Sequence, residues 1–222
     1  MLTFFKRIWW RLIRFGFRLL YNELAFTYDC VSWVVSLGEW RAWIRAVLPH
    51  LHAPHGSTIL EIAHGTGNLQ LDLLEAGYQP VGIDLSRAMG RIASRKLRRQ
   101  GKLPSLIRAR AQSLPFADGM FAAIACTFPA PFILESETLR ELYRVLDAGG
   151  RLVIVPNAVF TGGDPAQKAL EVAYRITGQR TRAGLDWRSR FTDVGFEVEI
   201  ATCPARRSYA QVIIALKPVT VP

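Results

Sequence analysis

Cysteine is scarce in this sequence: three among 222 residues, at Cys30, Cys126 and Cys203. An odd, widely spaced set with no C-x-x-C pair excludes a disulfide framework and reads as free thiols in a reducing, cytoplasmic compartment. Internal repeats and low-complexity tracts are also lacking, which excludes repeat arrays and disordered tails. Acidic residues are short, with 18 against 28 basic ones and a formal net charge of +10. That balance asks for an anionic partner, either a nucleic acid or a membrane surface. No acidic residue occurs before Glu23. What is present in quantity is apolar: half the residues are hydrophobic, enough for one packed domain with an appendage.

The appendage is residues 1–20. Phe4, Phe5, Ile8, Trp9, Trp10, Leu12, Ile13, Phe15, Phe17, Leu19 and Leu20 alternate there with Lys6, Arg7, Arg11, Arg14 and Arg18. At ~100° per residue the four arginines fall in one narrow stripe, and the rest of the circumference is apolar. A transmembrane helix needs ~20 largely uncharged residues, which these five cations exclude. A secretory signal would gather its charges before an unbroken apolar stretch. The pattern predicts a basic amphipathic helix lying in a lipid interface, on the inner face of the membrane, with arginines toward anionic head groups. Two alternatives stay open. One is a helix packed on the parent domain or in a dimer interface. The other is a cleaved targeting peptide, although the segment has no serine.

Residues 21–56 predict a helical cap and linker. Trp33, Leu37, Trp40, Ile44 and Leu48 recur at helical spacing, with Gly38 as a break and Pro49 as a stop. The linker carries His50, His52 and His55 between Pro and Gly, with no neighbouring Cys or carboxylate to complete a metal shell, so no metal is expected.

From residue 57 strands and helices alternate. Thr58 to Ile62, Gln79 to Ile83, Leu103 to Ala109, Ala122 to Thr127 and Arg151 to Val155 predict strands. Helices are expected to about Ala76, from a Ser86 N-cap to about Gln100, over Leu134–Leu146 and over 186–194. Glu197–Cys203 and Tyr209–Leu216 predict a terminal hairpin. The expectation is an α/β, Rossmann-like doubly wound sheet, mostly parallel, with one antiparallel strand near the C-terminus and helices at the N-terminus. The helix from Arg87 carries Arg91, Arg95, Lys96, Arg98 and Arg99. It reads either as a solvated face or as a second contact to lipid head groups or nucleic acid.

Within this alternation, Glu61-Ile62-Ala63-His64-Gly65-Thr66-Gly67 joins a strand end to a helix start through small residues. A ligand can approach the backbone closely there, above unpaired helix N–H groups. Asp84, at the tip of the next strand, follows Gly67 by 17 residues. That is near the ~20-residue offset at which a carboxylate reaches a ribose. Two further stretches, Ala111-Gln112-Ser113-Leu114-Pro115-Phe116 and Glu141-Leu142-Tyr143-Arg144-Val145-Leu146-Asp147-Ala148-Gly149-Gly150, complete an ordered set.

With these four motifs, residues 26–217 resemble the class I S-adenosylmethionine-dependent methyltransferases, in particular the subgroup of ubiquinone and menaquinone biosynthesis and small-molecule enzymes. The resemblance implies S-adenosyl-L-methionine as cofactor. It places the backbone of Glu61, Ala63, Gly65 and Gly67 under the methionine part and Asp84 on both ribose hydroxyls. Leu85 and Met89 would pack on adenine, Ala111 and Gln112 along its edge, and Cys126 near the sulfonium. Tyr28 resembles a tyrosine near the cofactor carboxylate. Tyr28, Asp29 and His64 are candidate bases, with His64 otherwise a solvated loop residue. Three places depart from the pattern. Ala63 stands at the loop's usual first glycine, the smallest possible change. Arg110 stands where the family has an aspartate for the adenine amino group, and Phe128-Pro129-Ala130-Pro131-Phe132 replaces the arginine-asparagine pair of the quinone enzymes.

The expected activity is methyl transfer to a hydrophobic or lipid-like acceptor. A non-catalytic binding protein of the same fold, or an RNA methyltransferase, are the alternatives. The sequence shows no recognisable RNA-binding module.

Overall fold

The computed structural model describes residues 11, 15, 16, 18–20, 22–176 and 187–219. Its strands are β1 (Thr58–Ile62), β2 (Gln79–Asp84), β3 (Leu106–Arg108), β4 (Phe121–Thr127), β5 (Leu146–Phe160), β6 (Glu197–Pro204) and β7 (Ser208–Leu216). They form one sheet in the order β3-β2-β1-β4-β5-β7-β6. β1 to β5 run parallel, and β7 pairs antiparallel with both β5 and β6. The helices are α1 (Tyr28–Val35), α2 (Trp40–Arg45), α3 (Asn68–Glu75), α4 (Arg87–Arg99), α5 (Ser136–Val145), α6 (Pro165–Ile176) and α7 (Trp187–Thr192).

The period-2 geometry of a strand sends neighbouring residues to opposite faces. Leu60, Ile62, Ile124 and Cys126 therefore join the core under α5 and α7, with Leu139, Leu142 and Phe191. Ile59, Ala123, Ala125 and Val153 pack on the other face with Trp43, Leu69 and Leu73. Both faces are covered, so the central strands are largely apolar, with Glu61 a buried exception in β1. The chain leaves β1 toward β2 on one side, while β4 lies on the other side of β1. The carboxyl ends of β1 and β4 are thus the switch point where open α/β sheets bind ligands.

The N-terminal cap is more broken than its periodicity suggests. A 3-10 turn (Ala25–Thr27) precedes α1. Leu37 and Gly38 both have positive φ between α1 and α2, so the break falls where expected. α2 ends at Arg45, and Pro49 sits in a separate 3-10 turn (Leu48–His50) rather than ending the helix. Trp33 does not join the buried stripe: it is 64% exposed. Ion pairs from Arg41 (2.7 Å) and Arg45 (3.1 Å) to the buried Asp72 fasten α2 to α3.

Elsewhere the boundaries shift. β3 is three residues long, and Leu103 is exposed beside it. Residues 131–134 form a 3-10 turn ahead of a shorter α5. β5 is 15 residues long because β7 pairs along most of its length. α6 has no counterpart in the sequence reading. Most of residues 1–20 and residue 186 lie outside the described residues.

Candidate functional site

The turn after β1 is bent by backbone that side chains rarely adopt: Ala63 (φ 56°), Gly65 (φ 53°) and Gly67 (φ 80°). Two of these glycines are needed for different reasons. A Cβ on Gly67 would stand 2.9 Å from Ala93 Cβ, so this glycine lets α4 pack on the start of α3. A Cβ on Gly65 would meet nothing nearer than 4.0 Å, so the loop faces open space there.

Asp84 points at this loop. Gly65 N–H donates to Asp84 Oδ2 at 2.9 Å, and Ser86 N–H donates to Oδ1 at 2.7 Å. A carboxylate accepts about four hydrogen bonds, so each oxygen keeps capacity for a vicinal diol. Leu85, next along, is 60% exposed and offers an apolar surface beside the carboxylate. Ser86 caps α4 through Met89 N–H, and the backbone around Asp84 is thereby fixed.

Beneath the loop the side chains are buried. Glu61 accepts from Gln70 Nε2 at 2.6 Å, and burial pushes its carboxyl up to about 8, against the opposing hydrogen bond. His64 is 4% exposed, which corrects its reading as a solvated loop residue. Its Nδ1–H donates to Gly65 O at 2.9 Å. Burial holds the imidazole below its ordinary value, against the pull of Asp84, so the ring is neutral and braces the turn.

Asp29 is a structural clamp. Its carboxylate accepts from Thr66 Oγ1 (2.6 Å), Asn68 Nδ2 (3.1 Å) and Lys96 Nζ (2.7 Å). Lys96 also donates to Asn68 Oδ1 at 2.7 Å. Burial raises the Asp29 pKa, but Lys96, Thr66 and Asn68 outweigh it and leave the carboxyl below its usual range. The network joins α1, α4 and the glycine turn. Asn68 and Thr66 sit in the motif itself. Lys96 is one of six cations on its helix, and nothing in the sequence distinguishes it.

The remaining expected residues divide. Ala111 is buried against the core, and Gln112 Nε2 donates to Glu135 Oε2 at 2.8 Å. Met89 and Cys126 have almost no exposed surface; they are floor and wall, and Thr127, after Cys126, is the part-exposed tip of β4. Arg110 is exposed, its backbone bridged to Ser113. Beyond β4, Phe128 takes φ 48° and donates its N–H to Val155 O at 2.7 Å. This turns its ring onto Trp40, stacked at 4.5 Å. Tyr28 meets Trp40 edge-on at 6.2 Å, and Trp43 joins behind with Phe160. Trp43 Nε1 donates to Ser208 Oγ at 2.7 Å, and that hydroxyl donates to the buried Glu39. The Trp43 indole is thus anchored to β7. A shallow groove of about 690 Å³ beside Tyr143, Arg144 and Lys217 lies where β4 and β5 begin, at the sheet's opposite edge.

Residues 17–177 match the ubiE/COQ5 methyltransferase family. The chain belongs to that family. The demethylmenaquinone methyltransferase of Thermus thermophilus is 35% identical over 164 residues, covering 72% of each chain. The match spans only 55–62% of several other relatives' lengths. Among solved structures, geranyl diphosphate C-methyltransferase from Streptomyces coelicolor, in complex with S-adenosyl-L-homocysteine, has a TM-score of 0.59 at 16% identity, covering 80% of this chain and 79% of that one. The [4+2]-cyclase SpnF has a TM-score of 0.63 at 20% identity, covering 81% of each. These likenesses establish the Rossmann-like fold alone; one fold hosts both a cyclase and a methyltransferase, so family membership carries the enzyme class. That class is S-adenosylmethionine-dependent methyl transfer, and the open glycine turn with Asp84 beside it fits the cofactor.

Proposed function

We propose that the chain transfers a methyl group from S-adenosyl-L-methionine to a flat, apolar acceptor of quinone-like size, presented at a membrane surface reached through residues 1–20. The observation that carries this reading is the Gly65–Asp84 contact beneath open space, with a half-buried aromatic wall in which Tyr28 and Trp40 of the cap meet Phe128 beyond β4.

The cofactor supplies an electrophilic methyl on a good leaving group. The protein's work is therefore alignment and exclusion of water. Asp84 holds the ribose, Leu85 covers the adenine, and the 63–67 backbone carries the methionine portion. The clamp at Asp29 keeps α1 closed over that turn. The aromatic wall receives the acceptor ring, and Phe128, in place of a polar pair, favours an acceptor recognised by stacking rather than by charge. Neutral His64 and ion-paired Asp29 are both committed to structure. Tyr28 is the one candidate base whose ring borders the acceptor wall.

The test is calorimetric titration with S-adenosyl-L-methionine, followed by transfer of a labelled methyl to demethylmenaquinone or to a membrane lipid extract. Micromolar cofactor binding with label in the organic phase is expected. Absence of binding at millimolar cofactor sinks the enzymatic reading; binding with label only in water-soluble phenols sinks the apolar-acceptor reading.

A further inference from the structure

We propose that the arginine stripe of α4 and the apolar surface beside it form a second docking face for an anionic lipid bilayer. The inference rests on the proposed work at a membrane surface and deepens it.

Arg87, Arg91, Arg95 and Arg99 follow one another at intervals of four on α4, and all four are exposed. Residues at that spacing lie along one side of a helix. α4 carries no acidic residue, and none of the ion pairs among the described residues involves these arginines. Cations held together without counter-charges repel one another, and a negatively charged surface relieves that repulsion.

The neighbouring segment is apolar. The 3-10 turn at 25–27 packs on α4, and Phe26 within it is 75% exposed. Lys96 of α4 grips Asp29 of α1 at 2.7 Å. Trp33 lies one turn beyond Asp29 on α1; its exposed indole reaches toward Gly38, just past the end of the same cap helix. Exposed large aromatic side chains bordered by unpaired arginines match the two layers of a lipid interface. The rings enter the acyl boundary while the guanidinium groups stay among phosphates. Aromatics that only stacked on bases would also satisfy nucleic acid. Here, however, Phe26 and Trp33 adjoin aliphatic Leu24 and Val34, both exposed, which bases do not require.

This face adjoins the cofactor cleft through the same clamp, because Asp29 holds Thr66 and Asn68 of the glycine turn. A membrane-borne acceptor would then meet the cap helices at the lipid boundary without crossing water.

The test uses the full chain in flotation assays with phosphatidylcholine vesicles, with and without phosphatidylglycerol. Wild type is expected to float with the anionic vesicles, and less as salt rises. The variant Arg87→Gln/Arg91→Gln/Arg95→Gln/Arg99→Gln should lose at least about tenfold in partition, each cation near such a surface being worth roughly fivefold. The four-lysine counterpart should float like wild type, and Phe26→Ser/Trp33→Ser should also weaken binding. Cofactor titration of each variant confirms that it is folded. Undiminished flotation of the four-glutamine variant overturns the inference. If neutralising Arg7, Arg11, Arg14 and Arg18 then abolishes flotation, docking belongs to residues 1–20 alone and the membrane reading survives. Failure of wild type to float removes both. Salt-sensitive RNA binding lost in the four-glutamine variant, with flotation unchanged, assigns the face to nucleic acid and overturns the inference.

Discussion

Gly65 and Gly67 stand two residues apart with similar backbone, yet the structure gives them separate duties. Gly67→Ala would drive a methyl into Ala93. It should destabilise the fold by about 1–3 kcal/mol, read as a lowered Tm. Gly65→Ala costs backbone strain of about 1 kcal/mol and no collision, and Ala63 already tolerates such a φ. Its methyl would occupy the ligand's space, so cofactor affinity should fall while the Tm moves little. Asp84→Ala should weaken cofactor binding by about 1–3 kcal/mol in a calorimetric titration, the scale of charge-assisted hydrogen bonds. Glu61 yields a pH prediction. Folded, it keeps its proton up to about 8; unfolded, it loses it near the ordinary carboxylate value of 4.5. The folded state therefore binds more protons across that interval, and stability falls as pH rises through it. Denaturation midpoints should drop between about pH 5 and pH 8 and level off above that, and Glu61→Gln should remove that drop.

At the level of elements, the informative join is α1 to the glycine turn. α1 has eight residues and no side-chain N-cap, so its position depends on what it touches. The Asp29 clamp, the edge-on Tyr28–Trp40 contact and the hydrogen bond that Tyr174 Oη donates to Val35 O at 2.6 Å are among those contacts. Asp29→Ala should raise amide hydrogen exchange in residues 28–35 and 64–68 together, leaving β4 and β5 unchanged. Exchange confined to α1 would show that the turn is rigid without the clamp. The elements also show where periodicity misleads. Trp33 shares the helical spacing of Trp40 and Ile44, but the positive φ at Leu37 and Gly38 re-aims the chain. A break of that kind resets the face, and a heptad-like count across it loses meaning.

For the whole molecule, the order β3-β2-β1-β4-β5-β7-β6 brings two turns distant in sequence, 63–67 and 127–132, to one sheet edge. The amino-acid sequence determined the alternating fold, the reversed strand near the end and the cofactor motif. Those rest on local signals: β-branched runs, N-caps, and glycines at fixed offsets from a carboxylate. Only the tertiary structure decided that His64 is buried, that Asp29 is held by Thr66, Asn68 and Lys96, and that Met89 and Cys126 have almost no exposed surface. It also extended β5 by pairing it with β7. Burial and charge pairing depend on which elements meet across the fold, and residues 67 positions apart, such as Asp29 and Lys96, carry no sign of each other until the sheet has brought their helices together.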